Sequence, residues 1–328
     1  MSLLSKLAVS AVLALVIPAG IALGLIASQR PVPDLRAGGV GLDFGTLSPN
    51  VAVPLQPYTA ADGAVLGFRR WDSGRAGAPL VVMVHGSGWH GGQFAGLGAA
   101  LAGQGLADVV APDLRGHGPA PQRRGDVDFI GQFEDDLAAL IAQQVRPGQR
   151  VVMLGHSSGG GLVIRFAGGA QGAMIDRAVL LAPFVQHDAP TTRPDSGGWA
   201  QVLLRRVIGL SMLNAVGITG LNHLTVLQFR FPDSVLDGPQ GHTATRAYSF
   251  RLMTGFNPRR NWQADVAALP PFLLVAGRRN EAFVAEAYEP TFTPITGRGR
   301  YALTGSGHLG VVDDPETLAR IAEFLAQE

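Results

Sequence analysis

Gly155-His156-Ser157-Ser158-Gly159 follows the apolar run Val151-Val152-Met153-Leu154 and precedes Gly160-Gly161-Leu162-Val163-Ile164. The stretch reads as a strand, a sharp turn that carries a serine, and a helix. A serine in a strained turn between strand and helix needs neighbours without Cβ atoms, which the flanking glycines supply. Ser157 is thereby a candidate nucleophile. The helix that follows points its unpaired N–H groups and positive dipole end at an oxyanion forming on a substrate, and Ser158 N–H is the first candidate donor. Taken alone, a G-x-S-x-G pattern also arises by chance, and a Gly/Ser-rich loop before a helix can hold phosphate or nothing.

Companion segments stand in a consistent order around it. Pro79-Leu80-Val81-Val82-Met83-Val84 is a buried-strand pattern ending in His85-Gly86-Ser87-Gly88, where Ser87 N–H can aim at the same oxyanion and His85 can order the loop. Leu106-Ala107-Asp108-Val109-Val110-Ala111 is another strand, and it ends in the tight turn Pro112-Asp113-Leu114-Arg115-Gly116-His117-Gly118. Asp113 and His117 read as turn-stabilising residues. Near the C-terminus, Tyr301-Ala302-Leu303-Thr304 leads into Gly305-Ser306-Gly307-His308-Leu309-Gly310, which places His308 on a flexible loop as candidate general base. His156 reads as packing or substrate wall.

These four segments, from His85-Gly86-Ser87-Gly88 to Gly307-His308, resemble the α/β-hydrolase superfamily, and within it the monoacylglycerol lipase-like and lysophospholipase-like serine hydrolases. The resemblance spans residue 50 to the end. It implies a mostly parallel α/β sheet flanked by helices. The fold also hosts dehalogenases and epoxide hydrolases, which carry an aspartate at the turn, and Ser157 argues against both.

The resemblance places the acid of a Ser-His-acid triad three residues beyond the glycine ending Pro271-Phe272-Leu273-Leu274-Val275-Ala276-Gly277. That position holds Asn280. An amide can hydrogen-bond imidazole but brings no charge to stabilise imidazolium, and in the serine-protease template an amide at the acid position costs about 10⁴ in turnover. Glu281 stands next to it and could swing toward His308. Asp188, after the strand Ala178-Val179-Leu180-Leu181-Ala182, is a third candidate, and Glu281 can equally be a solvated residue of a helix around Ala282 to Tyr288.

Composition fits one enzyme-sized unit: 328 residues, 47% hydrophobic, with 26 basic against 25 acidic residues. Arginine pairs are scattered, so no nucleic-acid footprint is visible. Without cysteine there can be no disulfide or thiolate metal site, the histidines show no metal-ligand spacing, and no cofactor is called for. Phe129 to Val145 has helical periodicity, with Glu134-Asp135-Asp136 expected on its solvated face.

Leu7 to Ala27 carries no charge, and as a helix it would extend about 32 Å, enough to cross a bilayer core. Residues 1–28 are accordingly expected to be a membrane anchor of undecided orientation, or else a signal segment that would leave the protein secreted or periplasmic. The Pro- and Gly-rich residues 29–50 read as a linker. Residues 51–183 and 270–328 form the hydrolase core. Between them, 184–269 are too long for a loop and read as an inserted helical cap, with helices in Trp199 to Leu213 and Thr245 to Thr254. Apolar candidates to line its pocket are Trp199, Leu203, Met212, Leu213, Phe250, Met253 and Phe256.

The expected function is cleavage of lipid-like or other apolar carboxylic esters through a Ser157 acyl-enzyme, with His308 as base and the Ser87 and Ser158 N–H groups holding the oxyanion. A tethered non-catalytic binding protein and an aminopeptidase-like hydrolase are the alternatives. The first follows from Asn280; the second would need an acidic patch for a substrate amine.

Overall fold

The computed structural model describes residues 2–38, 41–47 and 53–327, and the side chains of all of these except 3, 4, 6–15 and 195. The chain opens with helix α1 (Leu3–Ala27), then strands β1 (Gln56–Thr59), β2 (Val65–Trp71) and β3 (Leu80–Val84). Helix α2 (Ala95–Gly103), β4 (Asp108–Pro112), α3 (Gln132–Gln144), β5 (Val151–His156), α4 (Ser158–Ala167) and β6 (Arg177–Leu181) continue the alternation. The insertion comprises β7 (Ala200–Val202), α5 (Leu204–Asn214), β8 (Thr225–Phe229), α6 (Asp233–Leu236), β9 (Ala247–Ser249), α7 (Phe250–Phe256) and α8 (Trp262–Ala268). Strand β10 (Phe272–Gly277), α9 (Tyr288–Phe292), β11 (Gly299–Thr304) and α10 (Pro315–Leu325) complete the chain.

Among the described residues, eight strands form one sheet in the order β1-β2-β4-β3-β5-β6-β10-β11. Pairing is parallel from β4 through β11, and antiparallel only where β2 meets β1 and β4. Strands β3, β5 and β10 are buried along their whole length, as an inner sheet covered on both faces requires. Register carries the chemistry to one edge. Val84 pairs with Gly155 and Gly277 with Thr304, so the loops leaving β3, β5, β10 and β11 emerge together at the carboxyl ends of their strands.

The cap is not purely helical. Its predicted helices each begin as a short strand, and β7-β8-β9 pair as a three-stranded antiparallel sheet. Three-residue strands are too short to show an alternating pattern, and their pairing is non-local.

The membrane-spanning helix expected at the N-terminus is not supported. Among the described residues no helix is long and apolar enough to cross a membrane, and much of the anchor expected at 1–28 lies on side chains outside the described ones. The described end of α1 has a different partner. Ala22 and Ile26 are buried in a cluster with Leu210, Leu213, Val226 and Phe250 of the cap. Gly209 permits that crossing, because a Cβ there would stand 2.5 Å from the Ala22 carbonyl oxygen. Nor are the described residues of 29–47 a free linker. Gln228 exchanges two 2.8 Å hydrogen bonds with the main chain of Val32, Leu35 is buried, Ala37 N–H donates to the Phe231 carbonyl, and Arg36 pairs with Asp233 at 2.8 Å.

The Glu134 to Asp136 cluster departs from a solvated face as well. Glu134 is buried against Arg165 at 2.7 Å, and Asp136 against Arg115 at 2.7 Å. Paired this way, the two carboxylates lock α3 to α4 and to the turn after β4. Asp113 has the structural role expected of it, accepting from Arg69 and from Gly91 N–H at 2.8 Å.

Candidate active site

Ser157 sits between β5 and α4 with φ 55° and ψ −124°, a strained conformation for a residue with a Cβ. Strand and helix approach so closely that a Cβ on Gly159 would lie 2.1 Å from the Val84 carbonyl oxygen, and one on Gly155 2.3 Å from that of Gly159. The turn is held by Ser157 N–H donating to Leu181 and by the Ser157 carbonyl accepting from Gly161 and Phe184. With its main chain fixed, the hydroxyl meets its partner: Ser157 Oγ lies 3.0 Å from His308 Nε2.

The loop after β3, expected to supply an oxyanion donor, is built by a histidine whose tautomer is fixed. His85 Nε2 accepts the Leu114 N–H at 3.1 Å, so Nδ1 carries the hydrogen and donates to the Gly86 carbonyl at 2.8 Å. In a trans peptide the next N–H points opposite to that carbonyl, so holding Gly86 C=O also sets the direction of Ser87 N–H. Ser158 is the first residue of α4, and its hydroxyl meets that of Ser87 at 2.6 Å. Ser87 and Ser158 thus link the two loops expected to supply the oxyanion donors.

A tyrosine from the cap supports this loop from above. Tyr248 Oη accepts the Gly88 N–H at 2.6 Å and donates to His117 Nε2 at 2.6 Å, while His117 Nδ1–H donates to the Arg115 carbonyl. His117 therefore ties the turn after β4 to the cap. Nothing in the sequence around Tyr248 indicated this role, which depends on a contact across 131 residues.

The candidates for third triad member have distinct places. Asn280 is buried and gives its Oδ1 to the N–H groups of Ala282 and Phe283, at 3.0 and 2.8 Å, leaving Nδ2 buried without a partner. Glu281 sets its carboxylate on the main-chain N–H of His308 at 2.6 Å, and not on the imidazole. Asp188 is exposed in a separate groove with Trp262 and Pro290. His308 Nδ1 is itself buried without a hydrogen-bond partner. Burial, and secondarily the neighbouring His156, holds the His308 pKa well below the usual histidine range, so the ring is neutral at pH 7. Burial likewise holds His85 at about 3 and His156 at about 4.

The cavity above Ser157 is small, about 20 Å³, and is bounded by Ser87, Trp89, Gln93, His156, Trp199, His308 and Leu309. Leu42, Phe44 and Leu47, from the segment expected to be a linker, line it as well. Phe44 packs among Trp89, Trp199 and Phe231 with ring centroids 5.4 to 5.8 Å apart. Phe44 is the single aromatic residue between 29 and 50, and that was the signal available in the sequence. Of the apolar residues expected to line the pocket, Trp199 does so; Leu203, Leu213, Phe250 and Phe256 are buried in the fold's interior.

Comparison with known proteins agrees with this architecture. An uncharacterized protein of Mycobacterium tuberculosis is 26% identical over 292 residues, covering 84% of this chain and 82% of that protein. The human protein named monoglyceride lipase is 32% identical over 156 residues, 47% of this chain and 49% of the relative. Among solved structures, a soluble variant of monoglyceride lipase from Saccharomyces cerevisiae superposes with a TM-score of 0.63 at 16% identity, over 84% of this chain and 96% of that one. Residues 77–279, which hold the loop after β3, the serine turn and the cap, match the serine aminopeptidase S33 family. With its eight-stranded, mostly parallel sheet and monoglyceride lipase relatives, the chain is an α/β-hydrolase that belongs to the serine aminopeptidase S33 family.

Proposed function

We propose that the protein hydrolyses carboxylic esters with apolar acyl groups through an acyl-enzyme on Ser157. The observation that carries this reading is the 3.0 Å approach of Ser157 Oγ to His308 Nε2, on a strained turn beside two candidate oxyanion donors. In the first step Ser157 Oγ attacks the ester carbonyl while its proton passes to His308 Nε2; the Ser87 and Ser158 N–H groups receive the oxyanion. Collapse breaks the bond to the alcohol, which leaves with the proton from His308. Water then adds to the acyl-enzyme by the same path and frees the acid.

To accept a proton on Nε2, neutral His308 must carry its hydrogen on Nδ1, which is buried and has no acceptor. Among the described residues no carboxylate hydrogen-bonds the imidazole; the Glu281 carboxylate binds the main-chain N–H instead. Both facts favour a slow hydrolase over a fast one. Ester cleavage is preferred to removal of amino-terminal residues because, among the described residues, the cavity wall holds no carboxylate to receive a substrate amine. Its wall of Leu42, Phe44, Trp89, Trp199 and Leu309 suits an acyl group, as do the monoglyceride lipase relatives.

A fluorophosphonate probe should label the intact protein, and Ser157→Ala should abolish the labelling. Persistent labelling of the alanine variant would remove Ser157 from its role.

A further inference from the structure

We infer that Glu281 and His156 are positioning residues that hold His308 by its main chain, one on each side of the residue. The kinetic part of this inference rests on the hydrolytic reading of Ser157; the structural part does not.

His308 lies in Gly305-Ser306-Gly307-His308-Leu309-Gly310, where three glycines leave the backbone with high conformational freedom. A general base must nevertheless stay within hydrogen-bond reach of its nucleophile. Where a carboxylate hydrogen-bonds Nδ1, it orients the ring directly. Here Nδ1 has no partner, so the ring's direction depends on the peptide groups that carry it.

Both are fastened. On the amino side the His308 N–H donates to the Glu281 carboxylate at 2.6 Å, a short charge-assisted bond. Gly307 makes room for it, since a Cβ at that position would stand 3.0 and 3.1 Å from the two carboxylate oxygens. On the carboxyl side the His308 carbonyl accepts from His156 Nε2 at 2.9 Å. A carbonyl can only accept, so the hydrogen of neutral His156 resides on Nε2 and its Nδ1 accepts from Gln93 Nε2 at 3.1 Å. Gln93 Oε1 in turn accepts the Gly86 N–H at 3.1 Å. One directed chain therefore runs from the oxyanion loop through Gln93 and His156 to the main chain of the base, and every donor in it has one acceptor. The rings of His156 and His308 lie 4.8 Å apart, and the Phe283 ring closes the other side at 5.0 Å. Among the described residues, the charged or titratable groups in contact with His308 are His156 and Glu281; Asn280, beside Glu281 on the loop after β10, is neutral.

The test uses the full-length protein and four variants, Glu281→Gln, Glu281→Ala, His156→Phe and Gln93→Leu. Hydrogen–deuterium exchange of the peptide spanning residues 305–312 reads the clamp, and the rate of fluorophosphonate labelling reads Ser157 reactivity. Gln keeps an oxygen for the His308 N–H, so Glu281→Gln is expected to slow labelling about threefold with little change in exchange. Glu281→Ala is expected to slow it about tenfold to a hundredfold and to speed exchange. His156→Phe keeps a ring but loses the donor, with about a tenfold loss expected, and Gln93→Leu should give a smaller loss in the same direction. If Glu281→Gln is as damaging as Glu281→Ala, the charge of Glu281 acts on the imidazole and the inference fails. It fails equally if neither exchange nor labelling responds to Glu281→Ala and His156→Phe. Exchange that responds in an unlabelled wild-type protein would sink the hydrolytic reading and leave the clamp standing.

Discussion

Asn280 gives its side-chain oxygen to the N–H of Phe283 at 2.8 Å, and the Phe283 ring stands edge-on to His308 at 5.0 Å. The residue that the resemblance puts at the acid position therefore shapes the loop beside His308 without bringing it a charge. Asn280→Asp keeps one oxygen on the Ala282 and Phe283 N–H groups and puts a second oxygen where Nδ2 is now buried without a partner. Turnover of a p-nitrophenyl ester should rise by at least about tenfold. A new negative charge also raises a histidine pKa, so the acid limb of the rate profile, which burial of His308 should hold low in the wild type, should move upward. An unchanged rate and limb would show that charge at position 280 does not reach His308.

Phe44→Ala tests the wall above Ser157. Removing the ring from among Trp89, Trp199 and Phe231 should enlarge the cavity, now about 20 Å³, and raise kcat/KM for longer acyl esters by about tenfold, at a stability cost below the roughly 3–5 kcal/mol of a fully buried Phe because Phe44 is only half-buried. A series of p-nitrophenyl esters of increasing chain length measures it. Equal effects on acetate and on long esters would refute a steric wall.

Tyr248→Phe removes one hydroxyl and strands two buried groups, the Gly88 N–H and His117 Nε2. The expected loss is about 2–4 kcal/mol in urea unfolding, with kcat reduced more than KM because the oxyanion loop loosens. A variant as stable and as active as wild type would remove Tyr248 from that support.

Acid should destabilise the protein earlier than its paired carboxylates alone would predict. His85, at about 3, and His156, at about 4, remain neutral in the folded state but take up protons near pH 6.5 once unfolded. Their folded pKa values are depressed, so stability is complete above about pH 6.5 and falls as pH is lowered toward 4, by up to about 1.4 kcal/mol per pH unit for each group. Urea midpoints at pH 7 and pH 5 check the sign; an equal or higher midpoint at pH 5 contradicts it.

The strands and the serine turn were legible because their signals are local. Four to six apolar residues closed by glycine specify a buried strand and its end, and the spacing within residues 155–159 dictates a turn that only small neighbours permit. His308 was legible for the same reason, as a histidine on a Gly-rich loop after a strand. What the sequence concealed depends on distant partners. Glu281 and Asn280 stood out in the sequence as candidates for the partner of His308, but which atom each side chain meets is decided by loop geometry: Glu281 meets the His308 main-chain N–H and Asn280 the N–H groups of Ala282 and Phe283. Glu134 looked solvated because its partner Arg165 lies 31 residues away. Residues 29–47 looked like a linker because Pro and Gly signal irregular backbone, which says nothing of whether that backbone is packed.

That packing has a mechanical consequence. From the end of α1 the chain is fastened to the insertion at Gln29 by Arg205 and Arg206, at Val32 by Gln228, at Arg36 by Asp233 and at Ala37 by Phe231, before it delivers Phe44 to the wall above Ser157. First helix, insertion and roof are thus one lashed assembly. The space above Ser157 is thus bounded in part by a segment that these bonds fasten to the insertion and not to the sheet.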